Sequence, residues 1–202
     1  MNAELDRTDQ AKTIPPESDE QLMLAFGRGS TEAFSELFSR YQQPVFGFFH
    51  RRLAEAAQAE ELTQETFLAV LRASSRYEPS SLFRTYLYAI ALKILNAHRR
   101  KMTFRAMFFG QSSESRQPAL ESAAHAEVML RQALAKLQAI EREIVLLREF
   151  EQLSYAEIAA VLRLPINTVR SRLFRARMTL RELFGAPVPK TTSELKPSEE
   201  RI

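Results

Sequence analysis

Apolar residues recur along this chain at three- and four-residue spacing from about residue 22 to residue 183, and no segment alternates as a half-buried strand would. Leu22 and Phe26, then Ala33, Phe34, Leu37, Phe38 and Tyr41, trace the stripe of an amphipathic helix that Pro44 is expected to close. From about Ala57 to Ala73 the pattern turns Leu62, Thr66, Ala69 and Val70 toward a core and leaves Glu61, Gln64 and Glu65 outside. Ser74, Ser75, Pro79 and Ser80 mark a turn. Leu82 to Lys101 then predicts a helix that begins aromatic, with Phe83, Tyr86 and Tyr88, and ends basic, with His98, Arg99, Arg100 and Lys101. The helix dipole favours cations at that end, but consecutive bases exceed what capping needs. Val128, Leu134 and Leu137, followed by Ile144, Leu147 and Phe150, mark two more helices.

Breaks in this pattern divide the chain. Residues 1–18 are polar, contain Pro15 and Pro16, and read as a disordered arm, as do residues 186–202 with Pro187, Pro189 and Pro197. Residues 103–124 hold Gly110, Ser112, Ser113, Ser115 and Pro118 and read as a linker. Phe104, Met107, Phe108 and Phe109 within it are costly to leave in water, so a covering surface is expected. The fold class that follows is all-α: two small helical domains, residues 19–102 and 125–185, joined by a linker.

Composition narrows the chemistry. With 202 residues, 45% hydrophobic and 26% charged, the chain can bury one medium core or two small ones as a soluble protein. Its longest apolar run, Leu82 to Leu95, is interrupted by Arg84 and Lys93 and falls short of the roughly 20 residues that span a bilayer, so no membrane insertion is expected. No secretory signal opens the sequence, and a cytoplasmic location is expected. The absence of cysteine removes disulfides, thiolate nucleophiles and the usual structural zinc sites. His50, His98 and His125 are too widely separated for a metal site, and the glycines never cluster into a phosphate cradle. No catalytic residue, metal or cofactor is expected, and the chain does not read as an enzyme.

The net charge of +3 is mild, but it conceals local asymmetry. Glu55, Glu60, Glu61 and Glu65 make one acidic segment, suited to a basic protein partner, whereas Arg163, Arg170, Arg172, Arg175, Arg177 and Arg181 crowd another, suited to phosphate. The basic segment follows Ser154-Tyr155-Ala156-Glu157, a capping box that starts a helix carrying Ile158, Ala159, Val161 and Leu162. Arg163-Leu164-Pro165 interrupts it, and a second helix restarts around Asn167. An ordinary helical hairpin would have this spacing too, but a basic second helix after a tight turn is the arrangement of a DNA-binding helix-turn-helix.

At about 100° per residue, Val169, Leu173, Ala176, Leu180 and Leu183 share one apolar arc of that second helix. Arg170, Ser171, Phe174 and Arg175 fall opposite and form the expected base-reading set, where a phenylalanine among arginines suits a thymine methyl or a sugar. Arg172, Arg177 and Arg163 flank it as backbone clamps or local salt-bridge partners, and Thr168 lies at its start.

The segment LSYAEIAAVLRLPINTVRSRLFRARMTLREL, from Leu153 to Leu183, resembles the promoter-reading domain of extracytoplasmic-function sigma factors. DEQLMLAFGRGSTEAFSELFSRY, AEELTQETFLAVLR and FRTYLYAIALKILNAHRRK resemble, in order, the other domain of that family, and the likeness spans roughly Asp19 to Phe184. It implies a sigma factor that binds core RNA polymerase and directs initiation at promoter DNA, serves a stress or envelope response, and is held by an anti-sigma factor.

The resemblance also implies residue roles. Glu60, Glu61, Gln64, Glu65 and Phe67 are expected to dock on core polymerase. Arg76, Tyr77, Phe83, Arg84, Tyr86, Lys93, Arg99 and Arg100 are expected to receive the melted downstream element, about 10 base pairs before the start, with aromatic rings and cations around a flipped base. The helix-turn-helix would read the upstream element, about 35 base pairs before the start. The chain departs from the family's habit at Tyr86, Lys93 and Ala97, where Trp, Asn and Asp are usual, and at Gln138 and Asn167, where Pro and Gly are common. A lysine added at position 93 favours phosphate. The competing reading is a stand-alone helix-turn-helix regulator, which has no need of the acidic segment.

Overall fold

The computed structural model describes residues 18–53, 55–109 and 125–185, and among them helices are the only regular elements. The expected arms over 1–17 and 186–202, and the expected linker from 110 to 124, lie outside the described residues, as does the side chain of Phe109. The helices are α1 (Asp19–Gly27), α2 (Thr31–His50), α3 (Ala56–Ala73), α4 (Phe83–Phe109), α5 (His125–Lys136), α6 (Ala139–Glu149), α7 (Tyr155–Leu162) and α8 (Ile166–Leu183), with a 3₁₀ turn at Ser74–Arg76.

The first apolar stripe divides into two helices. Ser18, expected in the amino-terminal arm, instead caps α1: its hydroxyl accepts from the Gln21 amide at 3.2 Å while Gln21 Oε1 accepts from the Ser18 amide at 2.9 Å. Gly29, at φ 107°, breaks the chain after α1, and the Ser30 hydroxyl accepts from the Ala33 amide at 3.2 Å to start α2. Pro44 does not close α2, contrary to expectation; the helix continues to His50. An internal proline costs about 3 kcal/mol, yet Val45, Phe48 and Phe49 beyond it are fully buried, each contributing about 1.5–3 kcal/mol. Burial outweighs the lost hydrogen bond.

The expected linker also begins too early. α4 runs on through Thr103 to Phe109, because nothing before Gly110 breaks a helix. Thr103 donates to the Arg99 carbonyl at 3.0 Å, and Phe104 lies 4.3 Å from Phe108 one turn later. Phe104, Met107 and Phe108 remain exposed, by 57%, 76% and 69%, and no described residue covers them.

α1 to α4 form one lobe and α5 to α8 the other, the second built around the helix-turn-helix of α7 and α8. They are not merely tethered. α4 packs on α7, and one apolar core runs from Met23, Phe48, Phe49, Leu87 and Leu95 into Ile144, Leu147, Leu153 and Ile158. At Gly27 a Cβ would lie 2.7 Å from the Ser74 carbonyl oxygen, so only glycine lets α1 support the 3₁₀ turn this closely.

Candidate nucleic-acid interface

The helix-turn-helix forms as its sequence dictates. Ser154 Oγ accepts from the Glu157 amide at 3.2 Å and Glu157 Oε2 accepts from the Ser154 amide at 2.9 Å, completing the capping box at the start of α7. Arg163 ends the helix at φ 55°, and the Leu164 amide donates to the Ala159 carbonyl at 3.0 Å. A left-handed arginine costs about 1 kcal/mol. The turn it makes directs the chain through Pro165 into α8.

Val169, Leu173 and Ala176 anchor α8 in the core, while Arg170, Ser171, Phe174 and Arg175 all lie exposed on the far side. Phe174 is 66% exposed. Ser171 donates to the Thr168 carbonyl at 3.1 Å, and Arg170 Nη1 leans on Asn167 Oδ1 at 3.4 Å, both local contacts that a nucleic acid could replace. The flanking arginines differ. Arg177 Nη2 donates to Glu149 Oε1 at 2.7 Å, the local salt bridge left open by its position, and Arg172 is half-buried with its Nε shielded from solvent and unpartnered among the described residues.

The downstream candidates separate into three groups. Tyr77, Phe83 and Tyr86 share one aromatic cluster, with Tyr77 and Tyr86 centroids 5.2 Å apart and Tyr77 and Phe83 6.3 Å apart. Phe83, however, is fully buried beside Tyr41, with its amide donating to Glu20 Oε1 at 2.7 Å, and Tyr77 is buried too. They are walls of the core, not open rings awaiting a base, because the helix start turns Phe83 inward. Burial pushes the Tyr77 phenol up to about 12, so it stays protonated, and its oxygen has no hydrogen-bond partner among the described residues. Half-buried Tyr86 is the accessible edge of the cluster, with exposed Arg76 nearby in sequence.

Tyr86, Lys93 and Arg100 recur at seven-residue spacing and so share one stripe of α4, both cations exposed. Arg99 is exposed as well. Arg84 falls on the opposite side, against α7.

On α3 the side chains of Glu60, Glu61, Gln64 and Glu65 are all exposed on one face. Phe67 is not among them: it is 4% exposed, with its ring 4.8 Å from Phe38 and 6.4 Å from Phe34. It holds the helix down and cannot present a ring to a partner. Leu68, 47% exposed beside Gln64 and Glu65, is the apolar residue this face does present. Its place one turn beyond Gln64, at the four-residue spacing that puts two side chains on one helix face, was the available signal.

A polar seam joins the lobes, and nothing in the sequence links its members. Arg84 Nε and Nη2 donate to the two oxygens of Glu157 at 2.5 and 2.6 Å, and Thr85 donates to Glu157 Oε1 at 3.1 Å. Arg52 Nε meets Glu143 at 2.7 Å and Arg51 Nη2 meets both oxygens of Glu151 at 3.0 Å. The Arg51 guanidinium also lies 4.9 Å from the centre of the Phe150 ring.

Two family models match the chain in order: Sigma-70 region 2 over residues 37–103 and Sigma-70, region 4 over residues 127–180. RNA polymerase sigma-H factor of Pseudomonas aeruginosa is 34% identical over 179 residues, covering 81% of this chain and 92% of its own. RNA polymerase sigma factor CarQ of Myxococcus xanthus is also 34% identical, covering 81% of this chain and 95% of its own. The solved structure of CnrH in complex with the cytosolic domain of CnrY matches with a TM-score of 0.66 at 25% identity, covering 85% of this chain and all of that one. A second, sigma factor RpoE with the anti-sigma factor NepR from Bartonella quintana, shares the fold at a TM-score of 0.61 and 24% identity, over 78% of this chain and all of that one. An acidic helix face, a basic helix-turn-helix and these matched regions converge: the chain belongs to the extracytoplasmic-function family of RNA polymerase sigma factors.

Proposed function

We propose that this sigma factor docks on core RNA polymerase through the exposed face of α3, opens and reads a downstream promoter element with the lobe of residues 19–102, and reads an upstream element with α8 of the lobe of residues 125–185. The observation that carries the reading is the division of labour between two exposed helix faces. Glu60, Glu61, Gln64 and Glu65 offer acids to a basic protein surface, and Arg170, Ser171, Phe174 and Arg175 offer donors and an apolar contact to a groove. The relatives' own names favour this over a stand-alone regulator.

Within the downstream lobe, Tyr86 with Arg76, Lys93, Arg99 and Arg100 supplies the stacking edge and phosphate contacts for single-stranded promoter DNA, while Tyr77 and Phe83 support that edge from beneath. Arg84 joins the contacts when α7 is withdrawn. The chain performs no chemistry of its own; polymerase makes the RNA, and this subunit chooses where. It works in the cytoplasm, and no described helix is long and apolar enough to cross a membrane. An anti-sigma factor is the expected restraint, as the RpoE of Bartonella quintana, which shares the fold, was solved with the anti-sigma factor NepR.

The test is reconstitution. Purified chain added to sigma-free core polymerase should yield discrete transcripts from genomic DNA, mapping to sites that share two spaced elements. Random initiation, or specific nanomolar DNA binding by the free chain alone, would return the stand-alone regulator to favour.

A further inference from the structure

Asn167 stands at the centre of the face that α8 turns away from the core. At about 100° per residue it lies roughly 150° from the middle of the core-facing arc of Val169, Leu173, Ala176 and Leu180. Arg170, Ser171, Phe174 and Arg175, the four residues read above as base contacts, fall within about 80° on either side of it. All five are exposed.

The ordinary reason for an asparagine at a helix start does not hold here. An N-cap asparagine accepts from amides of the first turn, but the N-cap of α8 is Pro165, and Asn167 lies inside the helix. There its side chain is a poorer helix former than alanine and caps nothing. Among the described residues its carboxamide bonds Arg170 alone, with Nη1 donating to Oδ1 at 3.4 Å. A guanidinium has only donors, so the amide oxygen must face Arg170 and the amide nitrogen must turn outward. The arginine presets which way the amide points.

From this placement we infer that Asn167 is a specificity-determining residue of α8, reading an adenine stacked next to the base that Arg170 reads. The inference rests on the proposed reading of the upstream element by α8. Oδ1 keeps a second lone pair for the adenine N6 amino group while Nδ2 donates to N7, the two-point pattern by which a carboxamide selects adenine in the major groove. A side chain this short reaches a base edge only from the first turn, because a recognition helix enters the groove with its N-terminal residues leading. Arg170 Nη1 lies 3.4 Å from Oδ1, which matches the rise of about 3.4 Å between stacked base pairs, so the two side chains suit successive edges. Glycine, common at this position in the family, offers no side chain for the contact. The added base is therefore a property of this chain and not of its fold.

The test is selection of a randomised upstream element by holoenzyme reconstituted from core polymerase and the full chain, unsubstituted or carrying N167G, N167D, R170A or R175A. The unsubstituted chain should favour adenine by about tenfold at one position, next to a position that R170A relaxes. N167G should erase that preference, and N167A, a better helix former, should repeat the result. N167D is the sharper variant. A carboxylate there keeps an acceptor for Arg170 but cannot donate to N7, so a base reader should move the preference from adenine to cytosine, whose N4 amino group it accepts from. A residue that only orients Arg170 would keep the unsubstituted consensus in N167D, because a carboxylate holds a guanidinium more firmly than an amide does. That result overturns the inference, as does an N167G consensus that changes only where R170A changes it. If R170A or R175A alters the consensus while the Asn167 variants leave it intact, Asn167 is no reader although α8 still is. If none of these substitutions alters it, the reading of the upstream element by α8 falls as well.

Discussion

Arg52 Nη1 and Glu151 Oε1, 99 positions apart in sequence, meet at 3.2 Å with both side chains only 1% exposed. The same guanidinium also donates to the Phe48 carbonyl at 2.8 Å and lies 3.7 Å from the Phe48 ring centre. The cation thus ties the end of α2 to the helix-turn-helix lobe within the apolar core. Removing Arg52 leaves Glu151 to Arg51 alone and takes from Glu143 its ion pair with Arg52.

Arg52→Met should therefore destabilise the chain by about 3–5 kcal/mol, as for other broken buried pairs. The double substitution Arg52→Met with Glu151→Gln should cost less than the sum of the two singles, because each single already loses the shared 3.2 Å contact and Arg52→Met leaves the buried Glu151 charge with one cation instead of two. Urea unfolding of the four chains of this cycle measures the coupling; strict additivity would show that the pair contributes nothing.

Glu157 sets a pH dependence. Burial alone would raise its carboxyl, but hydrogen bonds from Arg84 and Ser154 outweigh that and hold it at about 2, below its ordinary 4.5. A carboxylate depressed in the folded chain contributes stability above its unfolded value and loses it as pH falls through the folded one. The contribution is complete above about 4.5 and fades toward about 2. Thermal midpoints of the unsubstituted chain should fall relative to those of E157Q across that window and run parallel to them above it. Parallel curves throughout would mean that the charge is not held in this way.

Most helices and the helix-turn-helix were legible because their signals are local. The Ser154 capping box, the turn at Arg163 to Pro165 and the apolar arc of Val169, Leu173 and Ala176 each lie within a few residues of the structure they specify. Pro44 was misleading because its local cost is set against burial of Val45, Phe48 and Phe49, which only the tertiary core reveals. Phe67 and Phe83 have residue types suited to a binding site and sit beside candidate contacts, but their side chains face the core. The seam was invisible. Arg52, Arg84, Glu143 and Glu157 are ordinary surface residue types until the lobes meet.

The acidic face of α3 gives a prediction that separates docking from folding. Replacing Glu61, Gln64 and Glu65 together with alanine should weaken association with core polymerase while helical content holds, since all three are exposed and alanine is a good helix former. Phe67→Ala should do the reverse of a surface change, costing about 3–5 kcal/mol by opening a cavity under Phe34 and Phe38. A pull-down of core polymerase, beside circular dichroism of each variant, distinguishes them. Full polymerase binding by the triple variant would remove α3 from the docking surface.

On α8 the arginines that read bases should be separable from those that hold the lobe together. Arg170 and Arg175 project with Ser171 and Phe174 from the face opposite Val169 and Leu173, and neither is paired with an acid among the described residues. Either guanidinium can make two parallel hydrogen bonds to one guanine edge. Changing either to alanine should cost about 1–3 kcal/mol in promoter binding and relax preference at one or two bases of the upstream element. Arg177 is already engaged by Glu149, with both side chains about half exposed, so Arg177→Ala should cost less than about 1 kcal/mol of stability and leave base preference unchanged. Arg172 turns its Nε into the lobe, so its loss should act on folding or on binding to all sequences alike. Selection of a randomised upstream element with each variant holoenzyme provides the measurement. A changed consensus for Arg177→Ala or Arg172→Ala, beside an unchanged one for Arg170→Ala and Arg175→Ala, would put the wrong face of α8 in the groove.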